Sequence, residues 1–229
     1  MTREVFLKQL PQLVKNYTPT SDVLKHISKV ELLMIIGPSG VGKTSIIDRL
    51  GLKYVPSDTT RLARPEEING LDMYFLTSYD QVIADIKAGI FVQLLVGASG
   101  DFYGTRATSY PADGWAVMPV LADVVPIFRN LGFKRTISTF ITPPSYEEWM
   151  RRLGSHKLST EQLRKRLVEA QRSHEFAIKD NQIHFILNDD LSKAVEQTKA
   201  LIDGRVDAAR EELAKFTAKK NLSMLIQSL

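Results

Sequence analysis

Short apolar runs alternate with amphipathic stretches along most of the chain. The run from Val30 to Ile36 is too short for a typical helix and is followed by glycine, so it predicts a buried strand. Similar short apolar runs predict further strands at 53–56, 116–121, 136–141 and 184–187. Amphipathic patterns predict helices at 43–50 and 160–179. Because strands and helices alternate, we expect an α/β fold with a parallel sheet and right-handed crossovers.

Residues 57–110 differ from the rest of the chain in their pattern of apolar residues and glycines. Apolar runs at 73–76 and 90–96 are broken by glycines, and one helix is predicted near 78–88. The pattern therefore predicts a β-rich insertion, which we call the inserted lobe (57–110).

Helical patterns occupy both ends of the chain. Residues 2–15 predict an amphipathic helix that Pro11 is expected to start, kink or end. The run Thr20-Ser21-Asp22 offers an N-cap for a second helix through Lys29. The stretch 190–220 is helical, and a stripe of apolar residues is expected to pack it on the sheet. A homodimer contact from its far end is the alternative. The stripe comprises Val195, Thr198, Leu201, Ile202, Val206, Ala209, Leu213 and Phe216.

Composition excludes several classes of protein. The chain has 229 residues, of which 44% are hydrophobic and 24% charged, as in ordinary globular proteins. The absence of cysteine excludes disulfide frameworks, thiolate nucleophiles and iron–sulfur clusters. The four histidines share no metal-ligand spacing.

Charge and hydropathy bear on partners and location. The net charge of +4 comes from basic residues spread along the chain, which favours anionic ligands only mildly and predicts no nucleic-acid partner. No apolar run is long enough to span a membrane, and charged residues interrupt the N-terminus. We expect a cytoplasmic protein without membrane association.

Residues 37–44 match the phosphate-binding pattern G-x-x-x-x-G-K-[ST] in full, between a predicted strand and a predicted helix. Glycines let backbone amides point at phosphate oxygens, and the helix N-terminus adds its positive end. Lys43 is expected to reach the β- and γ-phosphates of ATP, and the Thr44 hydroxyl to bind Mg²⁺. The motif leaves the phosphoryl acceptor open. The residues of the match are Gly37, Pro38, Ser39, Gly40, Val41, Gly42, Lys43 and Thr44.

A second motif addresses the acceptor. Arg61 and Arg64 stand three residues apart, close to several hydroxyl side chains. Paired guanidinium groups suit a dianionic phosphate, which accepts bidentate hydrogen bonds. Taken alone, such a pair is more often a solvated surface feature.

With these motifs, the sequence resembles the guanylate kinase family of nucleoside monophosphate kinases over about residues 31–200. The features occur in order: GPSGVGKT at 37–44, SDTTRLARPEEINGLDMYF at 57–75, GDFYGT at 100–105, FITPPSYEEWMRRL at 140–153, and LRKRLVEAQ with FILNDDL within 163–191. The resemblance implies a P-loop NTPase-type core with a parallel sheet flanked by helices. It also implies a core at 30–56 and 111–200, with a helical lid near 152–166, and a monophosphate-binding role for the inserted lobe. The remaining residues form an N-terminal helical extension at 1–29 and a C-terminal helical extension at 201–229.

The resemblance also implies roles for individual residues. The implied catalytic residues are Lys43, Arg152 and Arg166, and Asn188 is implied near the adenine of ATP. The implied acceptor-binding residues are Ser57, Arg61, Arg64, Gln93, Tyr103 and Thr105. A monophosphate is already an anionic nucleophile, so positioning and charge neutralisation suffice and no general base is required.

The expected reaction is phosphoryl transfer from ATP, with Mg²⁺, to a nucleoside monophosphate, foremost GMP or dGMP. Two alternatives stay open. The chain could phosphorylate another small phosphate ester, such as AMP or a sugar phosphate. It could also be an inactive module of the same fold that binds a partner protein, although Lys43 and Thr44 are retained.

Departures from the family pattern concern mainly the recognition of the acceptor. Gln93 stands where the family has a glutamate, and an amide that both accepts and donates suits adenine at least as well as guanine. Met73 replaces a tyrosine, and Tyr74 would face the opposite side of a regular strand.

Two further departures lie in the core and the lid. Val120 and Ala122 take the usual acidic positions, and Asp123 could stand in one step later. A lid arginine is missing, and His156 or Lys157 could substitute for it.

Overall fold

The structure is a computed structural model that describes residues 1–63, 67–97, 100–155 and 158–228. These residues divide into two compact units. The first unit comprises Met1–Leu32, Lys53–Ala116 and Ile127–Arg135. The second unit comprises Leu33–Leu52, Val117–Pro126 and Thr136–Leu229.

Strands and helices alternate along the chain. The strands are β1 (Val30–Ile36), β2 (Lys53–Tyr54), β3 (Ser57–Thr59), β4 (Met73–Phe75), β5 (Phe91–Val96), β6 (Phe102–Arg106), β7 (Gly114–Pro119), β8 (Arg135–Thr142) and β9 (Ile183–Leu187). The helices are α1 (Arg3–Lys15), α2 (Ser21–Ile27), α3 (Lys43–Leu50), α4 (Tyr79–Lys87), α5 (Val125–Arg129), α6 (Tyr146–Gly154), α7 (Thr160–Lys179), α8 (Leu191–Ile202) and α9 (Ala208–Ser228). One sheet has the order β2-β7-β1-β8-β9 and the other β4-β3-β6-β5.

The alternating pattern predicted most of these elements. The predicted strand at 30–36 and the predicted helices at 43–50 and 160–179 are confirmed at the predicted residues as β1, α3 and α7. Thr20 caps α2 as expected, since its side chain accepts from the amide of Val23. Strands β8 and β9 pair in parallel, as expected for an α/β fold.

The helix predicted at 2–15 is confirmed as α1, and it continues through Pro11, so Pro11 neither starts nor ends it. The prediction of one helix over 190–220 was wrong. The stretch 190–220 breaks into α8 and α9 near Gly204, whose φ of +77° ends the first helix. Val195, Thr198 and Leu201 of α8 are buried, as the stripe predicted. Beyond the break the buried face changes, so Leu213 and Phe216 of α9 are 51% and 66% exposed.

The first unit has its core under one face of the β4-β3-β6-β5 sheet. Val82, Ile83 and Ile86 of α4 pack there with Phe91 of β5 and Phe102 of β6. The opposite face follows from the strand register. Gln93 lies opposite Thr105, Thr59 opposite Tyr103, and Ser57 opposite Met73, so these side chains share one face.

A buried charge cluster lies in the core of the first unit. Arg106 donates from Nε to Asp58 and from a terminal nitrogen to Asp85, each at 2.8 Å. Asp58 is 1% exposed, and burial raises the pKa of its carboxyl although Arg106 opposes that shift. The guanidinium also lies over the Phe91 ring. Arg106 therefore neutralises two carboxylates that water does not reach well.

The second unit is built on buried strands and on the C-terminal helix. Helix α9 packs against β9 and α7. The buried side chain of Asn221 donates from Nδ2 to the carbonyl of Pro143 at 3.0 Å, just after β8. His184 of β9 pairs with Glu211 at 3.1 Å. Among the described residues, none of the helices combines the length and apolar character that crossing a bilayer requires.

Replacing Arg106 should test how strongly the charge cluster stabilises the fold. Arg106→Met leaves Asp58 and Asp85 without their cationic partner, which we expect to lower the free energy of unfolding by about 3 kcal/mol. Because the pKa of Asp58 is already raised, the difference from wild type should shrink as the pH falls through the titration of that carboxyl. Urea unfolding at several pH values measures both effects.

The matched control is Arg205→Met, which removes an exposed ion pair with Asp203. We expect a change below about 1 kcal/mol for that variant. Equal losses in the two variants would contradict the argument from burial.

Candidate active site

The phosphate-binding motif forms a tight turn between β1 and α3. Gly40 and Gly42 have φ values of +82° and +94°, which favour glycine. A Cβ atom on Gly42 would lie 2.4 Å from Nδ2 of Asn188, and one on Gly40 would lie 3.3 Å from the backbone of Leu153. The N-cap residue of α3 is Gly42, which has no side chain to occupy the first amides of the helix, so these amides can bind an anion.

Lys43 folds back over this turn. Its Nζ atom donates to the carbonyls of Gly37 at 2.6 Å and Pro38 at 2.9 Å. Burial lowers the pKa of Lys43 to about 8, while Glu169 raises it and Arg166 lowers it further. Removal from water disfavours the charged ammonium, and an incoming phosphate would favour it. The turn therefore holds a cation that gains from binding an anion.

Two side chains from elsewhere in the second unit fix the carbonyls of the turn. Trp149 of α6 donates from its indole nitrogen to the carbonyl of Ser39 at 2.8 Å. Asn188, just after β9, donates from Nδ2 to the carbonyl of Val41 at 2.7 Å. With these carbonyls held on the protein side, the amides of the turn are left for a ligand.

Helix α6 also supplies arginines. Glu148 accepts from Arg152 Nε at 2.7 Å and from two nitrogens of Arg151 at 2.7 Å. The terminal nitrogens of Arg152 donate to the carbonyl of Asn188 at 3.3 Å. The two arginines hold the pKa of the partly buried Glu148 carboxyl down to about 2. Glu148 therefore stays ionised and orients Arg152.

These groups surround one cavity of about 630 Å³, a size that suits a nucleotide. Its wall contains Lys43 and three arginines but one acidic residue, Asp189, which is paired with Arg210. A polyanion therefore suits the cavity better than a neutral ligand does. The lining residues are Ser39, Gly40, Gly42, Lys43, Thr44, Ser45, Arg151, Arg152, Ser155, Arg166, Asn188, Asp189 and Leu191.

Arg61 is held by several acceptors in the inserted lobe. Its terminal nitrogens donate to both carboxylate oxygens of Glu67, at 2.7 and 2.6 Å. They also donate to the carbonyl of Leu62 at 2.8 Å and to the sulfur of Met73 at 3.3 Å. Glu67 is the largest influence that raises the pKa of Arg61, and Tyr103 adds to it. Arg61 therefore already binds an anion of the protein itself.

A buried polar face adjoins Tyr103 on β6. Gln93 is 6% exposed, and among the described residues its Oε1 atom has no hydrogen-bond partner. The neighbouring Thr105 hydroxyl shares a hydrogen bond of 2.9 Å with the hydroxyl of Tyr110. A buried carbonyl oxygen without a donor is unfavourable, so this position is suited to a ligand that carries an N–H group.

Comparison with known proteins agrees with this geometry. The family model "Guanylate kinase" matches residues 29–205. The chain is 33% identical over 183 residues to the guanylate kinase of Wolbachia sp. subsp. Brugia malayi, covering 75% of this chain and 91% of that protein. It is 34% identical over 181 residues to the guanylate kinase of Salinibacter ruber, covering 73% and 92%. The chain belongs to the guanylate kinase family.

A solved structure supports the same fold. The crystal structure of guanylate kinase from Anaplasma phagocytophilum has a TM-score of 0.52 and 20% identity, covering 88% of this chain and 95% of that one. The predicted P-loop NTPase-type fold, with a parallel sheet flanked by helices, is therefore confirmed. Membership in the guanylate kinase family also confirms the expected enzyme class, a nucleoside monophosphate kinase.

The structure gathers many of the residues that the guanylate kinase resemblance singled out. Lys43, Thr44, Arg152, Arg166 and Asn188 line one cavity with much of the phosphate loop. The side chain of Asn188 bonds to the loop itself, a contact that the expected adenine role did not include.

In the inserted lobe, Ser57, Gln93, Tyr103 and Thr105 share one face of the sheet. Arg61 is linked to this face through Tyr103 and Met73. Arg64 lies outside the described residues.

The family departures also have definite places. Met73 lies on the same face as Ser57 and accepts a weak hydrogen bond from Arg61, while Tyr74 lies on the other face, as expected. Asp123 is exposed in the short 3-10 helix Ala122–Val124. His156 and Lys157 lie outside the described residues.

Four contacting residues were not assigned roles from the sequence: Glu67, Tyr110, Glu148 and Trp149. Glu148 could have been found, because a glutamate four residues before Arg152 on a helix predicts an ion pair. The contact of Trp149 joins residues 110 positions apart, and that of Tyr110 depends on the path of the chain after β6, so the sequence pattern indicates neither. Glu67 lies within the quoted 57–75 motif, but nothing in that spacing indicates a bidentate bond to Arg61.

The lowered pKa of Lys43 makes ATP binding depend on pH. The protonated ammonium is the form that binds phosphate, and it titrates at about pH 8 in the unliganded protein. We therefore expect the dissociation constant for ATP to rise about tenfold between pH 7 and 9, in proportion to the lost protonated fraction. Isothermal titration calorimetry without acceptor measures it.

The control for this dependence is Lys43→Met, which should bind ATP weakly and with a nearly flat profile over the same range. A wild-type profile that is flat, or a variant with the wild-type slope, would show that another group controls ATP affinity.

Proposed function

We propose that this protein transfers the γ-phosphoryl group of ATP to GMP or dGMP and forms ADP with GDP or dGDP. The observation that carries the proposal is the convergence of Lys43, Arg152 and Arg166 on one cavity at the phosphate loop, in a chain of the guanylate kinase family. Retention of the complete loop argues against a module that only binds a protein partner.

The phosphate-loop cavity is proposed as the ATP site. Amides of residues 37–44 and the N-terminus of α3 would bind the β- and γ-phosphates. Lys43 would exchange its carbonyl partners for phosphate oxygens, because charged acceptors bind an ammonium more strongly. Arg152, held by Glu148, and Arg166 would neutralise charge that develops on the transferred group.

Mg²⁺ fits the oxygen donors of this site. The Thr44 hydroxyl lines the cavity next to Lys43. Within the described residues, no group of three or more His, Asp or Glu side chains is placed to hold a metal ion. Mg²⁺ commonly binds to one or two protein oxygens, substrate phosphates and water, so a single hydroxyl is compatible with it. When bound, the ion would neutralise phosphate charge.

The inserted lobe is proposed as the acceptor site. Ser57, Arg61, Arg64 and Tyr103 would bind the acceptor phosphate, and Thr105 and Gln93 the base. The Gln93 amide can accept from N1–H of guanine on Oε1 while it donates to O6 from Nε2. The unpartnered Oε1 atom supports this assignment, because N1–H would supply its missing donor.

The proposed reaction needs no general base from the protein. An oxygen of the acceptor phosphate attacks the γ-phosphorus, and the bond from that phosphorus to the β–γ bridging oxygen breaks, so that ADP leaves. The attacking oxygen is already anionic at neutral pH. The protein therefore contributes position, positive charge and exclusion of water.

Several broader expectations stay predictions. They are the division into a core at 30–56 and 111–200, a lid near 152–166 and the flanking extensions; the cytoplasmic location; the absence of a nucleic-acid partner; and the homodimer.

A panel of acceptors tests the proposed function. ADP release is measured with Mg·ATP and, separately, GMP, dGMP, AMP, dAMP, CMP, UMP and ribose 5-phosphate. We expect GMP and dGMP to be the best substrates, and Lys43→Met to lose at least about 100-fold in kcat. Activity with the sugar phosphate alone would overturn the proposal, and so would ATP binding without turnover of any acceptor.

The role of Gln93 can be tested by a change of charge. A carboxylate accepts from both N1–H and N2–H₂ of guanine but cannot donate to N1 of adenine. We expect Gln93→Glu to raise the ratio of kcat/KM for GMP over AMP by about tenfold. Steady-state kinetics with both acceptors give the ratio.

Gln9→Glu is the control, since it adds the same charge at an exposed position of α1. If Gln93→Glu leaves the ratio unchanged, then Gln93 does not contact the base.

A further inference from the structure

Helix α1 lies outside the residues that the guanylate kinase family model matches, 29–205, yet it forms part of the core of the first unit. Phe6 and Leu10 are fully buried among residues of α4, β5 and β6. The Phe6 ring also stacks on Tyr79, with 4.8 Å between ring centroids. The inserted lobe therefore shares its hydrophobic core with a segment from the N-terminal end of the chain.

Polar contacts connect the same segment to β5. The hydroxyl of Tyr17, just after α1, donates to the carbonyl of Phe91 at the start of β5. The amide of Thr20 donates to the carbonyl of Gly89 at 3.0 Å, two residues before β5. Strand β5 lies at one end of the order β4-β3-β6-β5, so among the described strands β6 is the one that pairs with it. Strand β5 also contacts α1 and α2, which hold it in place where a second neighbouring strand is absent from this order.

A third contact reaches Asp101, the residue that precedes β6. Arg3 of α1 donates to Asp101 at 3.1 Å, and the Asp101 side chain is 9% exposed. The carbonyl of Asp101 accepts from the amide of Gly97 at 2.8 Å. Gly97 in turn lies against the ring of Tyr103, because a Cβ atom there would be 2.6 Å from Cε2. A displacement of Asp101 would therefore move Gly97 and, with it, the ring of Tyr103.

We propose that α1 is a positioning element of the acceptor site. It holds β5 and Asp101, and through them it sets the positions of Gln93 and Tyr103. This inference rests on the proposed function, in which those two side chains bind the base and the phosphate of GMP. Residues of α1 act through the lobe and do not touch the acceptor.

The test uses the full chain and compares two dissociation constants. Phe6→Ala removes the buried ring, and we expect the dissociation constant for GMP to rise about tenfold, because small displacements at a binding site weaken it strongly. Arg3→Ala should raise it about threefold, since that ion pair is partly exposed. The dissociation constant for ATP should stay within about twofold, because the phosphate loop belongs to the second unit.

Matched controls lie on the same helix. Val5→Ala and Lys8→Ala alter exposed positions of α1 and should leave both constants unchanged. Phe6→Leu refills much of the core volume and should restore GMP affinity. A double-mutant cycle with Asp101→Asn adds a further readout, since Arg3→Ala should have little additional effect in that background.

The outcomes separate this inference from the proposed function. If the wild-type chain turns over none of the acceptors in the panel, the proposed function fails. If the wild type phosphorylates GMP while Phe6→Ala and Arg3→Ala lower only the melting temperature, α1 is structural and the positioning role is wrong. Equal weakening of ATP and GMP binding would also overturn it. If Phe6→Ala does not fold, the GMP dissociation constants of Arg3→Ala and of the double-mutant cycle with Asp101→Asn test the positioning role.

Discussion

The hydrogen bonds that hold the carbonyls of the phosphate loop are the constraint on which the proposed chemistry depends. A turn can present several amides to one ligand only if its carbonyls point elsewhere and find donors there. Trp149 satisfies Ser39, Asn188 satisfies Val41, and Lys43 satisfies Gly37 and Pro38. In the proposed ATP complex, Trp149 and Asn188 would keep their carbonyl partners, whereas Lys43 would exchange its carbonyl partners for phosphate oxygens. The contacts of Trp149 and Asn188 therefore give the loop its shape, and the contacts of Lys43 are those that a bound phosphate would replace.

How far the sequence predicts this protein depends on how local each determinant is. The strand, glycine turn and helix at 30–50 follow from adjacent residues, and the structure has them at the predicted places. The packing of α9 does not, because the break at Gly204 rotates the following helix and exposes Phe216 instead of burying it. Local pattern decides that a segment is helical, but only its partners decide which face is buried.

The candidate sites show the same limit. Lys43 and Thr44 could be assigned from spacing, because their geometry is built into the motif. Trp149 is 110 residues away from the carbonyl that it binds, and the contact of Asn188 with the loop spans 147 residues. No periodicity encodes such contacts. The core role of α1 was equally hidden, since an amphipathic helix near a terminus is compatible with bracing, with association or with an unrelated contact.

The pairing of Arg61 with Glu67 has a consequence for which anions the inserted lobe can retain. The guanidinium already holds a carboxylate in bidentate geometry, so its charge is balanced within the protein. A singly charged solute such as chloride or acetate would bring no more negative charge to Arg61 than Glu67 already provides. A doubly charged phosphate can compensate for loosening that bond. If Arg61 binds the acceptor phosphate as proposed, the internal carboxylate would favour dianions over monovalent anions at this position.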